Sequence, residues 1–498
     1  MKRIPGAALG ILILAAVLRL FNLNGRPLWY DEAFAILYAE KSLSAILSGT
    51  LSQVAGAAAD VHPVAYYFTL HVWMRLFGQT PLAVRMLSVC YSLATVALVY
   101  RLMGDLFDAK TARWAALILA VAPFQIAYAQ ETRMYAMLGF WSAAALAAYV
   151  RAWRTGRPAA WGAFIICGAL ALYSHNLAFA FFAALGLVVL LNWALQRTRQ
   201  AGLLALRTAL AGLAMAVLFA PWLARVPAQL GKISQAYWVP RPGPLELAQT
   251  ALVFAFDFEN AAMPRPLTPA ALFGALLILA LIVWQGARRR ARRAGWLALL
   301  VIIPVALVFV ISQWRPVYII RGLLPAATLY LALLGWALAG MPRPARALFG
   351  ATLALILGAT LVVYYGYAGF PRGPYTELNA FIRAHRAPSD VIVHSNKLSF
   401  FPAHVYDRDL AQTFLADPAG AGSDTLALPT QQALGLFATD LQTATAGAPR
   451  VWLIIFRQAL EEAGGAHPHV EWLATRFRLT QSWVFGDLRL LLFEGAGS

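Results

Sequence analysis

The feature that most constrains this chain is a series of apolar runs, each close to the roughly 20 residues that an α-helix needs to cross a bilayer. Eleven are legible, at 4–20, 82–102, 112–128, 134–150, 159–173, 177–195, 203–223, 269–284, 296–311, 322–338 and 347–367. In hydrocarbon every backbone N–H and C=O must be paired inside the segment, so such runs can only be helices. The expected fold class is therefore mainly α and polytopic. Composition agrees, with 61% hydrophobic and 12% charged residues against roughly 45–50% apolar residues in globular chains.

A twelfth segment, 61–77, decides the topology. The basic clusters Arg101/Lys110/Arg113, Arg151/Arg154/Arg157, Arg197/Arg199/Arg207, the arginines at 288–290 and 292–293, and Arg343/Arg346 follow the apolar runs. Such clusters mark cytoplasmic loops. All of them fall on one side, together with Lys2 and Arg3, only if 61–77 does not cross. Its mixture of His62, Pro63, His71 and Arg75 with Tyr66, Tyr67, Phe68 and Trp73 suits an interfacial helix. Eleven spans follow, with the N-terminus cytoplasmic and the C-terminal part outside the cell membrane. The first run has no small-residue cleavage site before Asp31 and reads as an uncleaved anchor. The net charge of +18 does not point to nucleic acid. Residues 371–498 hold 10 of the 40 Lys and Arg and 12 of the 22 Asp and Glu, so the basic excess lies in the apolar part. Cys90 and Cys167 sit far apart inside apolar runs, which excludes a disulfide framework.

This topology gathers ionisable residues on the outer face. Asp31 and Glu32 stand in PLWYDEAFA (27–35), just after the first run, and Asp60 and His62 follow in the same loop, about 22–78. Arg85 opens the next run. Arg133 lies in the turn AYAQETRMYAML with Gln130 and Glu131, His175 in LYSHN beside Tyr173, and Arg321 in QWRPVYIIRGLLP with Arg315. In the loop 224–268, Lys232, Arg241 and Arg265 read as solvated loop charges, and Asp257 and Glu259 as weaker acid candidates than the first-loop pair. Ionisable groups near hydrocarbon are costly and mark functional sites. Plainer roles exist for each: Asp31 as a helix N-cap, Glu32 as a partner for the helix dipole, the arginines as snorkelling side chains. As a set they suit transfer of a sugar from a lipid phosphate. A carboxylate takes the proton of an acceptor hydroxyl, while arginines and a histidine stabilise the departing phosphate. Such chemistry needs no metal, and no ligand-spaced His/Cys cluster is present, although a divalent ion is compatible with it.

The ordered series Asp31-Glu32, then DVHP at 60–63, then VRMLS at 84–88 resembles the protein O-mannosyltransferase family. QETRMYAML, HNLAF and IIRGLLP are more similar to its bacterial relatives among the GT-C glycosyltransferases, including the aminoarabinose transferases of lipid A. The resemblance covers roughly residues 1–370. It implies a GT-C fold of about 11 transmembrane helices, with interfacial helices in the first outer loop and inverting transfer on the outer face. It further implies Asp31 as base, Glu32 and Asp60 shaping the pocket, Arg85 supporting the acidic loop, and Arg133, His175 and Arg321 toward the donor phosphate. The implied partners are a polyprenyl-phosphate-linked sugar, membrane lipids, and an acceptor glycan, lipid or protein. His62-Pro63-Val64 stands where the family has His-Pro-Pro, and no loop between spans can hold the lumenal β-trefoil of the eukaryotic enzymes. A multi-span lipid flippase is the competing reading, against which stand the absence of an internal repeat and the clustering of charge on one face.

Residues 371–498 differ in composition and are expected to form a small α/β domain beyond the membrane part, 1–370. PYTELNAFIRAH and HVEWLATRF read as helices, DVIVHS and RVWLIIF as strands, and RLTQSWVFGDLRLLLFE as a hairpin turning at Gly486-Asp487. The stretch DPAGAGSD at 417–424 reads as a loop.

Overall fold

The structure, a computed structural model, describes residues 6–235, 238–257, 266–289, 291–367, 369–418 and 426–495. Lys2, Arg3, Glu259, Arg265, Arg290 and Asp424, all weighed above, lie outside them. Each of the eleven apolar runs falls on helix. In chain order the helices are α1 (Gly6–Leu20), then α2 (Tyr30–Ala39), α3 (Leu43–Leu51) and α4 (Ala65–Phe77) in the first loop. A two-residue ladder, β1 (Gln53–Val54) with β2 (Ala57–Ala58), sits between α3 and α4. There follow α5 (Pro81–Leu106), α6 (Ala109–Val121), α7 (Pro123–Ala129), α8 (Tyr135–Thr155), α9 (Pro158–Ser174), α10 (Ala178–Gln196) and α11 (Arg199–Leu223). The helical part closes with α12 (Val226–Gln235), α13 (Pro244–Phe256), α14 (Leu267–Arg289), α15 (Arg292–Ile311), α16 (Leu324–Ala339) and α17 (Arg343–Gly366).

The chain is a multi-pass membrane protein. Seven helices among the described residues are long and apolar enough to cross, and eight if α6 and α7 are one broken span, against the eleven expected. The difference has physical causes. Helices α1 and α9 have 15 and 17 residues, roughly 22–26 Å at 1.5 Å per residue, short of an apolar thickness near 30 Å. Helix α8 has 21 residues but is rich in alanine and carries Arg151 and Arg154 near its end. Helix α4, the segment that sets the topology, has 13 residues and does not reach across.

The bend of 60° between α6 and α7 follows from Pro123. Proline has no N–H to give the carbonyl four residues back, which is that of Leu119. Arg19, wholly buried in the last turn of α1, fills the gap by donating to Leu119 O (3.1 Å) and Ala120 O (2.9 Å), with Nε on Ser92 Oγ at 2.8 Å. The break turns α7 into the protein and delivers the turn Gln130–Arg133. Helix α16 is buried along its whole length. It crosses α6 so closely that a Cβ on Gly335 would stand 2.3 Å from the Ala115 Cα.

Beyond α17 the chain forms α18 (Tyr375–His385) and α19 (Lys397–Tyr406) around a six-stranded sheet. Its strands are β3 (Val391–His394), β4 (Thr413–Leu415), β5 (Ala438–Thr439), β6 (Arg450–Phe456), β7 (Phe477–Phe485) and β8 (Leu488–Gly495), in the order β5-β4-β3-β6-β8-β7. The first four are parallel and the last two run antiparallel. Alternation along β6 puts Trp452 and Ile454 in one core and Val451, Leu453 and Ile455 in the other, so both faces are covered. The β7–β8 hairpin turns at Gly486-Asp487, with Gly486 at φ +57°.

This sheet layer lies on the first loop. Phe401 of α19 packs edge-on against Tyr30 at 5.4 Å between centroids. Leu28 N–H donates to the Tyr406 hydroxyl at 3.0 Å, and Thr430 Oγ1 donates to Gly49 O at 3.0 Å. Arg408 pairs with Glu40 at 2.6 Å.

Candidate active site

Helix α2 begins after Trp29, whose extended backbone occupies the cap position without a side-chain hydrogen bond. Asp31 is therefore the second residue of the helix and does no capping. Its carboxylate faces two guanidinium groups, Arg133 Nε at 3.6 Å and an Arg321 terminal nitrogen at 3.8 Å. Both separations exceed hydrogen-bond length, so the carboxylate is held by charge and is not locked by directed bonds. Arg133 Nε is buried and makes no hydrogen bond. The Arg321 guanidinium lies over the rings of Trp238, Tyr135 and Trp29 at 5.3, 5.4 and 5.8 Å, an aromatic surround that stabilises a cation with little water.

Glu32 points the other way. It is wholly buried and takes a two-pronged bond from Arg85, Nε to Oε1 and a terminal nitrogen to Oε2, both 2.8 Å. Arg372 adds a bond to Oε2 at 2.9 Å and Thr132 N–H one to Oε1 at 3.0 Å. Burial alone would raise this carboxyl, but the Arg85 charge and hydrogen bonds outweigh it and hold it down at about 2. Arg85 also donates to the carbonyls of Leu23 and Arg26 at 2.7 Å each. One ion cluster thus ties the start of the first loop to α5, to the α7–α8 turn and to the segment after α17. Arg372 reaches Glu131 as well, at 3.3 Å. Burial pushes the Glu131 carboxyl up to about 7 despite Arg372, with Glu32 adding to the rise. Two buried glutamates in one cluster thus have well-separated proton affinities.

Asp60 folds back on its own loop, where Oδ1 accepts from Val61 N–H (2.6 Å), His62 N–H (3.1 Å) and His62 Nδ1 (2.8 Å). Burial raises this carboxyl, yet His62 together with Arg133 brings it below the usual range. The His62 ring lies 6.4 Å from that of His175. His175 accepts the Leu177 N–H on Nδ1 at 3.1 Å, which leaves the proton of the neutral ring on Nε2. Burial, then His62, Arg133 and Arg321, push its pKa down to about 3. It is a neutral donor at physiological pH. Gly322, next to Arg321, packs so tightly here that a Cβ would meet Leu177 Cδ1 at 2.5 Å and His175 Cε1 at 3.2 Å.

The structure thus brings Asp31, Asp60, His62, Arg133, His175 and Arg321 together, with Glu32 and Arg85 behind them. Arg241 and Arg315 are exposed and stand apart from these contacts. Arg372, Arg26 and Trp29 join these residues without having been expected from the sequence. Arg26 is buried, with its guanidinium 4.0 Å over the Tyr364 ring. The available signal was position: Arg26 and Arg372 each flank an apolar run on the side otherwise poor in basic clusters. Among the described residues no group of three or more His, Cys, Asp or Glu side chains is placed to hold a metal.

Residues 61–224 match the family model of dolichyl-phosphate-mannose-protein mannosyltransferase. A search of curated proteins by sequence finds no match. Among solved structures the chain is similar to ArnT from Cupriavidus metallidurans, in the apo state and bound to undecaprenyl phosphate. Identity is 14% with a TM-score of 0.61, covering 97% of both chains in each case. It is also similar to the Archaeoglobus fulgidus oligosaccharyltransferase tethered with an acceptor peptide, at 13% identity and a TM-score of 0.55 over 98% of this chain and 74% of that one. The chain has the GT-C glycosyltransferase fold, and over residues 61–224 it resembles the protein O-mannosyltransferases.

Proposed function

We propose that this protein transfers a sugar from a polyprenyl-phosphate donor to an acceptor hydroxyl, with inversion, on the outer face of the cell membrane. The observation that carries the reading is one carboxylate, Asp31, set between two guanidinium groups at 3.6 and 3.8 Å without a hydrogen bond to either. In the proposed step the acceptor oxygen attacks the anomeric carbon as Asp31 takes its proton. The bond from that carbon to the phosphate oxygen breaks, and the polyprenyl phosphate leaves. Arg133 and Arg321 receive the charge on the phosphate, and His175 Nε2–H offers one further donor. Asp60 holds His62 beside His175. Glu32 and Arg85 position the helix that carries Asp31 and stay out of the chemical step. Undecaprenyl phosphate bound to ArnT and dolichol-phosphate bound to the Archaeoglobus enzyme support a lipid-phosphate donor, and the sugar could be a hexose or a pentose.

The test is release or transfer of labelled sugar from a synthetic polyprenyl-phosphate donor by the purified protein. Flip-flop of that lipid in vesicles without sugar release would instead mark a transporter. Arg133→Ala and Arg321→Ala should each weaken donor binding by about 1.5–3 kcal/mol, the worth of a hydrogen bond to a charged group. Unchanged donor affinity in both would place the phosphate elsewhere.

Orientation is tested separately. In a chain freed of Cys90 and Cys167, a cysteine at Arg154 or Arg199 should resist an impermeant thiol reagent in intact cells. One at the exposed Ser482 should react. The reverse pattern would put Asp31 on the cytoplasmic side and remove the reading.

A further inference from the structure

At the helix ends opposite the candidate active site lies a cavity of about 730 Å³ lined by Ile11, Lys110, Arg113, Trp114, Arg343 and Arg346 among others. Its cations come from the first five residues of two helices, Lys110 and Arg113 from α6 and Arg343 and Arg346 from α17, neither of which has an acidic residue in its first turn. That placement is unfavourable on its own, because a helix N-terminus already carries about half a positive charge. Arg289 adds a further positive charge near Lys110, and Asp108, the acid that acts on Lys110, is engaged in capping α6 through Thr111 N–H at 2.7 Å. The Arg346 guanidinium is set 5.6 Å over the Trp114 ring. Two helix ends and four cationic side chains, drawn from segments more than 200 residues apart, therefore converge on one hollow.

We propose that this cavity binds the phosphate headgroup of an anionic glycerophospholipid. The lipid source follows from the flanks. Helix α1 presents Leu9 and Ile13, exposed by 51% and 56%, and α17 presents Leu348 and Leu355, exposed by 74% and 76%. These are bilayer-facing surfaces that begin at the rim of the cavity, so a phosphate held there by a lipid keeps its acyl chains in the hydrocarbon beside it, and the anionic leaflet supplies such headgroups at high local concentration. The site is independent of the reaction proposed above and lies at the other end of α6 and α16 from Arg133 and Arg321.

The experiment is lipid titration of the purified full-length chain in detergent, read by native mass spectrometry. Phosphatidylglycerol and phosphatidylcholine are compared at equal concentration. One phosphatidylglycerol should be retained in preference to phosphatidylcholine, and more weakly as salt rises. The Arg113→Gln/Arg343→Gln/Arg346→Gln variant should lose about a hundredfold in affinity, since each basic side chain near a membrane contributes roughly a factor of five. An Arg197→Gln/Arg199→Gln variant should keep the affinity. Equal retention of the two lipids by the unaltered chain would overturn the proposal without recourse to any variant. So would equal losses in the two variants, or displacement of the lipid by millimolar glycerol phosphate.

Discussion

Replacing Glu32 with alanine should lower the stability of the folded chain by about 3–5 kcal/mol, the usual cost of leaving one member of a buried ion cluster without its partner. Arg85 is only 1% exposed and takes its sole carboxylate contact from Glu32 among the described residues, so the change leaves a buried guanidinium without a carboxylate in contact. The variant also frees the Thr132 N–H and one arm of Arg372. A control is available in the same loop. Glu40 pairs with Arg408, whose side chain is 39% exposed, and Glu40→Ala should cost no more than about 1 kcal/mol, as exposed pairs do. Thermal unfolding in detergent decides the matter. Similar midpoints for the two variants would show that the Glu32 cluster is not what fastens the loop to the rest of the chain.

Asp31→Asn should behave in the opposite way. Asn keeps the size and shape of the side chain, and Asp31 makes no capping bond that the change would remove. The carboxylate lies beyond hydrogen-bond reach of its two guanidinium neighbours, and the bond from Arg133 to the Asp31 backbone carbonyl at 3.4 Å survives the change, so little directed bonding is lost. What disappears is the proton acceptor, worth about 10²–10⁴ in rate for a general base. Sugar transfer should therefore fall by at least about a hundredfold while the unfolding midpoint barely moves. Stability and catalysis are thereby assigned to neighbouring residues, one for each carboxylate of the Asp31-Glu32 pair.

That division was not legible in the sequence. Successive residues on a helix point about 100° apart, so one of an adjacent acid pair faces the cavity and the other the packing behind it, but the phase depends on what α2 packs against. In the sequence both count as site residues, Asp31 as base and Glu32 in the wall of the pocket. The helices themselves were legible because hydrocarbon admits no other backbone arrangement, and the site because ionisable residues are rare at the ends of apolar runs. Arg372 was not legible, since its partner Glu32 is 340 residues away and no local pattern links them. Arg19, at the end of the first apolar run, carries no signal of its own in the sequence. Its actual task, pairing the carbonyls left over at the break before Pro123, requires knowing that α1 lies against α6.

The role of Asp31 as base is decided by measuring donor binding and sugar transfer on a single preparation of the Asp31→Asn chain, with a polyprenyl-phosphate sugar as donor. The donor should still bind, because Arg133 and Arg321 are intact, while transfer falls at least about a hundredfold. Donor binding with transfer near that of the unaltered chain would contradict that role, and Asp60 would then be the carboxylate to examine.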